Sequence, residues 1–221
     1  MKMKIREIRE KTMSRGILVV VSGFSGAGKG TVMKRLMEKY DNYALSISVT
    51  TRNPRPGEEE GREYFFRTKE EFESLIKEDA LIEYAQYVEN YYGTPRSYVE
   101  EQLEAGRDVI LEIEIQGARK IKKKLPEALL VFVTPPSMKV LKERLTGRGT
   151  ETAEVIAERL ARASQEAEGV EEYDYLLVND TLEECVDTLH GIIQGEHFRM
   201  NRNLEFVRTI QLEAAVFAAE E

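Results

Sequence analysis

The chain has 221 residues, 42% of them hydrophobic and 33% charged, which suits one compact α/β domain able to bury a substantial core. A formal net charge of −8 argues against a general nucleic-acid binder, although a local cluster of Arg can still focus potential on a small anion. No uncharged apolar run approaches the ~18 residues needed to span a bilayer, the charged opening lacks the apolar stretch of a secretory signal, and a lone cysteine, Cys185, allows no intrachain disulfide. These features predict a soluble cytoplasmic protein with no nucleic-acid or membrane partner.

Residues 17–22 (ILVVVS) are a continuous β-branched run, the pattern of a strand buried on both faces. A Gly-rich loop follows, then a helix from about Gly28 to Tyr40 with Val32, Leu36 and Met37 on one face. LSISV at 45–49 reads as a second strand, and Thr50 to Gly61, dense in Arg, Pro, Gly and Glu, as loop. Thr68-Lys69-Glu70-Glu71 is a capping-box pattern opening a helix to about Lys77. IEYAQYVE at 82–89 reads as strand; Thr94-Pro95 reads as an N-cap and first helical residue, with Gly106 as the stop.

DVILEI at 108–113 is another buried strand, followed by a helix over 116–124 whose last turn carries Lys122, Lys123 and Lys124 as complements to the helix dipole. ALLVFV at 128–133 is a strand. Ser137 caps a helix to about Thr146, and Gly147-Arg148-Gly149 breaks it. A long helix spans roughly 152–167, YLLV at 175–178 is the last strand, and Thr181-Leu182-Glu183-Glu184 is a second capping box. Alternating strands and helices predict a parallel sheet covered on both faces. Leu204, Val207, Ile210 and Leu212 predict a C-terminal amphipathic helix that packs on the domain or on a second copy. His190 and His197 read as ordinary exposed or capping residues, so no histidine base is expected.

The loop after the first strand is Gly23-Phe24-Ser25-Gly26-Ala27-Gly28-Lys29, a strand–G-x-x-x-x-G-K–helix arrangement. Small residues let backbone N–H groups wrap phosphate oxygens, the helix N-terminus adds positive charge, and Lys29 supplies a mobile cation. The position after Lys29, usually Ser or Thr, is Gly30; Thr31 follows and is assigned a role near the metal or α-phosphate.

A second constellation follows: Ser48-Val49-Thr50-Thr51-Arg52-Asn53-Pro54-Arg55-Pro56-Gly57, then Tyr64-Phe65-Phe66. Arg52 and Arg55 flank a Pro and form a semi-rigid pair of forks suited to phosphate, with the Tyr64 hydroxyl as a further donor. Glu83, Asn90-Tyr91-Tyr92-Gly93-Thr94 and Leu111-Glu112-Ile113-Glu114-Ile115-Gln116-Gly117 come next, with Tyr91 read as packing. Taken in order with the P-loop, the PPS turn, ERLTGRGTE and VND, these segments make residues 16–195 resemble the guanylate kinases.

The resemblance implies a P-loop NTPase-type parallel sheet flanked by helices, with a GMP-binding insert at about 49–97 and a lid at about 140–160. Residues 1–15 and 196–221 would be N- and C-terminal extensions. It implies transfer of a phosphoryl group from ATP to GMP or dGMP with Mg²⁺, in a monomer or homodimer. The GMP phosphate would be held by Arg52, Arg55, Tyr64 and Tyr92. Guanine would be read by Glu83 and Glu114 as acceptors and by Ser48 and Thr94 as donors. ATP would lie on residues 23–31, namely Gly23, Phe24, Ser25, Gly26, Ala27, Gly28, Lys29, Gly30 and Thr31, with Asn179 near the adenine. Lys29, Arg52, Arg144, Arg148 and Arg159 would be catalytic, and Thr31 and Glu112 would serve the metal, Glu112 through water. Glu112 and Glu114 stand where the family often has Asp, and Phe24 where it often has Pro. The alternatives are a non-catalytic guanylate-kinase-like binding module and a kinase for another small acceptor.

Overall fold

A computed structural model of the chain describes residues 15–87, 89–147 and 152–219. Residues 1–14 of the expected N-terminal extension lie outside these, as does Arg148 with the Gly149 half of the expected helix break.

The larger of two sheets has five parallel strands in the order β2–β7–β1–β8–β9: β1 (Leu18–Gly23), β2 (Tyr43–Leu45), β7 (Asp108–Glu112), β8 (Leu129–Thr134) and β9 (Tyr175–Val178). The central strand β1 alternates its apolar side chains between two cores, as the two-residue repeat of a strand requires. Val19 and Val21 pack with Val32, Met33 and Leu36 of α1 (Lys29–Lys39) and with Val186, Leu189 and Ile193 of α7 (Leu182–Glu196). Leu18 and Val20 pack with Val99 and Leu103 of α3 (Arg96–Glu104) and with Ala118 and Ile121 of α4 (Ile115–Lys124). The doubly covered parallel sheet expected from the alternation is the one observed.

The smaller sheet is mixed, in the order β4–β3–β6–β5: β3 (Ser48–Thr50), β4 (Tyr64–Phe66), β5 (Leu81–Tyr87) and β6 (Asn90–Pro95). Helix α2 (Lys69–Lys77) sends Phe72, fully buried, into a small core with Val49 and Leu81. Its capping box is present in full: Thr68 accepts from the Glu71 N–H, and the Glu71 carboxylate accepts from the Thr68 N–H. Two helices, α5 (Met138–Gly147) and α6 (Ala153–Glu166), stand over the P-loop end of the larger sheet. The last described helix is α8 (Leu204–Ala218).

Several sequence expectations are corrected. LSISV is two strands: Leu45 ends β2 in the large sheet, Ser46-Ile47 cross over, and Ser48 begins β3 in the small one. Alternation cannot distinguish one strand from two that meet at a crossing. Thr94 lies inside β6 and gives its hydroxyl to Glu83 at 2.9 Å, and Pro95 itself precedes α3. Thr181 gives its hydroxyl to the Glu184 carboxylate at 2.5 Å and accepts no backbone N–H. Lys122 bonds Asp174 and the Ala128 carbonyl, so it ties α4 to its neighbours as well as facing the helix dipole. His190 stacks on Tyr40, with 3.7 Å between centroids, and meets the Tyr43 hydroxyl; His197 pairs with buried Asp108 at 2.9 Å. Both histidines are structural fasteners.

Candidate active site

The P-loop leaves β1 between β7 and β8, at the carboxyl edge of the large sheet, where strand connections diverge to either side. Gly26 and Gly28 hold φ of 93° and 91°, a left-handed backbone that side chains disfavour. A Cβ on Gly28 would stand 2.5 Å from the Asn179 amide nitrogen. Phe24 plugs the loop into the core, edge-on to Phe132 at 5.0 Å, which accounts for a large apolar residue at this position. Lys29 donates to the carbonyls of Gly23 (2.7 Å) and Phe24 (3.3 Å). Burial holds its ammonium below the usual lysine pKa, opposed by Glu112, Glu166 and Glu114.

Three side chains brace this loop. Asn179, buried just after β9, donates its amide to the Ala27 carbonyl at 2.8 Å. Arg144 donates to the carbonyls of Asn179 (2.8 Å) and Ala27 (3.4 Å). Arg159 on α6 reaches Ser25 Oγ at 2.9 Å. Asn179 and Arg144 thus spend hydrogen bonds on shaping the loop itself.

A cleft of about 510 Å³ opens beside the loop, lined by Gly23, Ser25, Lys29, Glu112 and Glu114 and, across from them, Arg159. A second cleft of about 380 Å³ lies under the small sheet, lined by Ser48, Tyr64, Glu83, Tyr92, Glu112 and Glu114 among others. Glu112, Ile113 and Glu114, where β7 runs into α4, line both. Ser22 Oγ pins this wall by donating to the Ile113 carbonyl at 2.7 Å.

The second cleft is lined by the carboxylates Glu83, Glu112 and Glu114 and by Lys120, and Arg52 lies over Tyr64 of its lining. Glu83 is 7% exposed and accepts from Thr94. Burial raises its pKa above the usual carboxylate range, while the Thr94 hydroxyl, Lys120 and Lys124 pull it back. Thr94 is itself buried behind Glu83 and reaches the cleft through it. Arg52 stands over the Tyr64 ring at 5.3 Å and pairs with Glu58 at 2.9 Å; Arg55 is exposed on the same loop, its backbone N–H donating to Glu58. Tyr64 and Tyr92 meet with centroids 6.0 Å apart. Tyr91 stacks on Phe72, the packing role expected of it.

Glu112 stands at the junction of the two clefts. Its pKa is raised by the surrounding protein and held down by Lys29. A Cβ built on Gly30 lies 3.9 Å from Glu112 Oε2, so this carboxylate faces the position that carries a metal-binding hydroxyl in other P-loops. Thr31 is exposed one residue further along α1. Among the described residues no group of three or more His, Cys, Asp or Glu side chains forms a metal cage.

The sequence reading gave no role to Arg162 or Glu166. In the structure Arg162 bonds both Glu114 (2.6 Å) and Glu166 (3.1 Å) at the rim of the first cleft. The i,i+4 spacing of Arg162 and Glu166 on α6 is legible in the sequence; the contact of Arg162 with Glu114, forty-eight residues away in the chain, is not.

Comparison with known proteins identifies the family. The guanylate kinase family model matches residues 15–196. A guanylate kinase of Oceanobacillus iheyensis is 53% identical over 188 residues, covering 85% of this chain and 91% of the relative. One of Lactococcus lactis is 50% identical over 191 residues, covering 86% and 93%. The crystal structure of guanylate kinase from Anaplasma phagocytophilum superposes with a TM-score of 0.68 at 35% identity, covering 86% of this chain and 90% of that one. A phosphate loop and an acid-floored cleft that share one wall, on a chain matched to this family from residue 15 to residue 196, make the protein a member of the guanylate kinase family.

Proposed function

We propose that the chain transfers the γ-phosphoryl group of ATP to GMP, giving ADP and GDP, with dGMP as a second acceptor, in purine nucleotide metabolism. The observation that carries this reading is the shared wall at Glu112–Glu114, which brings a donor cleft and an acceptor cleft face to face. A phosphate oxygen of GMP is anionic near neutral pH and needs no general base, in keeping with histidines that serve only structural contacts. Catalysis then rests on positioning and on charge neutralisation by Lys29, Arg52, Arg144, Arg148 and Arg159.

In the acceptor cleft Glu83 and Glu114 accept from the N1–H and 2-amino group of guanine. Ser48 donates toward O6, Thr94 gives its single hydroxyl proton to Glu83 and so fixes that carboxylate in place of the direct O6 contact expected of it, and Tyr64, Tyr92, Arg52 and Arg55 take the phosphate. Adenine offers an acceptor where guanine offers donors, so it would leave a buried carboxylate unpaired. A phosphate dianion competes with Glu58 for the Arg52 guanidinium, which would let the acceptor draw the Arg52–Arg55 loop inward.

Mg²⁺ fits the donor set. One carboxylate, Glu112, faces the Gly30 position, and an ion of this kind takes its remaining ligands from nucleotide phosphates and water. Glu112 would hold it through water, with the Thr31 hydroxyl nearby, and the ion would neutralise charge on the transferring group. The substrates are cytoplasmic metabolites, which supports a cytoplasmic location; among the described residues no helix is long and apolar enough to cross a membrane. The net charge of −8 speaks against nucleic acid as a partner, and the chain would act as a monomer or homodimer.

A binding module without activity is disfavoured, since the chain keeps Lys29 in the first cleft, Arg144 and Arg159 bonded to the P-loop, and Arg52 and Arg55 in sequence. The deciding experiment is a coupled ADP-release assay with ATP against each nucleoside monophosphate. GMP should give the highest kcat/KM; AMP or UMP ahead of it, or no ADP release with any, would refute the proposal.

A further inference from the structure

Helix α6 carries two arginines one turn apart that face different parts of the site. Arg159 reaches Ser25 of the phosphate loop, while Arg162 reaches Glu114 on the wall shared with the acceptor cleft. The Arg162–Glu114 contact is short, 2.6 Å, and joins residues 48 apart in the chain. On its other side Arg162 bonds Glu166 Oε1 at 3.1 Å, and Glu166 Oε2 is buried with no hydrogen-bond partner. Arg162 therefore sits between two carboxylates, and Glu112 and Lys29 line the same cleft. Without it Glu114 would lose the guanidinium that separates it from Glu166, with Glu112 lining the same cleft.

We propose that Arg162 is a positioning residue for acceptor recognition: it holds the Glu114 carboxylate in the orientation that reads guanine and so links helix α6 to acceptor binding. This rests on the assignment of Glu114 to the base made above. A carboxylate has lone pairs enough for both partners: one oxygen accepts from Arg162, the other remains for guanine. The extra methylene of Glu114, relative to the Asp common at this position in the family, gives it the length to meet both. Binding energy is exchanged in both directions, as linkage requires: GMP, by fixing Glu114, steadies α6, and an α6 anchored through Arg159 to the phosphate loop improves GMP binding.

The test is GMP affinity by titration calorimetry without ATP, together with steady-state KM for each substrate, for R162M, R162K, E114Q and the R162M/E114Q double variant. R162M should weaken GMP about tenfold, the size expected for a lost hydrogen bond between charged groups, and leave the KM for ATP within about twofold. R162K keeps the charge with a single donor and should recover most of the loss. In the double variant R162M should add little to E114Q, because the two act through one contact. Unchanged GMP affinity in both Arg162 variants would overturn the proposal. So would a loss as large in the E114Q background as in the wild type, or equal rises in KM for GMP and ATP. If E114Q weakens GMP and the Arg162 variants do not, this inference alone fails; if E114Q has no effect, the assignment of Glu114 to the base fails with it.

Discussion

Glu83 shows how a residue's cost in the fold becomes its use. An ionised carboxylate buried to 7% exposure, with one hydroxyl donor, is held at a raised pKa, so the fold favours its protonated form. The sign follows from linkage: its contribution to stability is fully present at low pH and is lost as pH rises through the raised pKa. Glu83→Gln should therefore unfold at a higher temperature than wild type near pH 8, the advantage shrinking toward pH 4, as differential scanning calorimetry would record. The same change should raise the KM for GMP by about tenfold or more and barely move that for ATP, because an amide puts a donor NH2 group where the carboxylate offers a second acceptor oxygen. In the wild type, KM for GMP should climb on acidification at a pH above the ordinary carboxylate range. Lys29 belongs to the other cleft: Lys29→Ala should lower kcat by about 10³-fold with an unchanged circular dichroism spectrum, since the ammonium bonds the loop carbonyls of Gly23 and Phe24.

At the scale of elements, the small sheet is the vulnerable part. It rests on a core of three fully buried side chains, Val49, Phe72 and Leu81, with Phe72 at its centre. Phe72→Ala should cost about 3–5 kcal/mol locally and destabilise the acceptor side first. Amide hydrogen exchange should show faster exchange in β3–β6 than in β1, with KM for GMP rising before the large sheet melts. The core of the large sheet was legible in the sequence because β1, β7 and β8 are continuous apolar runs, buried on both faces, that need no partner information to recognise. The small sheet was legible only in part. YFF and NYYGTP were not identified as strands, since short half-buried segments next to Gly and Pro look like loop, and the crossing at Ser46-Ile47 hid inside an unbroken alternation. The candidate site divides the same way. The P-loop is a local motif, so chain order alone located it. The Arg162–Glu114 pair and the Asn179–Ala27 brace are made by distant segments, and no spacing rule announces them.

Over the whole molecule, the described chain separates into a catalytic body and a C-terminal appendage with different logic. The body ends in polar fasteners: Glu196 accepts from Tyr175, His197 pairs with Asp108, and Arg202 donates to the Glu127 carbonyl. Helix α8 then leaves the core with none of its residues fully buried and with Leu212, Val216 and Phe217 exposed. Ending the chain after Asn203 should accordingly leave kcat within about twofold and the melting temperature within a few degrees, as activity and thermal scans would show, because no core contact is removed. Removing His197 as well should be far more harmful, because Asp108 would lose a partner while buried.

The wall that serves both clefts also limits how the acceptor preference can be re-engineered. Every substitution at positions 112 to 114 alters the donor side and the acceptor side together, so a library aimed there would trade turnover for selectivity. Ser48 and Glu83 line the acceptor cleft and not the donor cleft, and Thr94 stands behind Glu83. A redesign toward another nucleobase should begin on those small-sheet positions and leave the carboxyl end of β7 untouched.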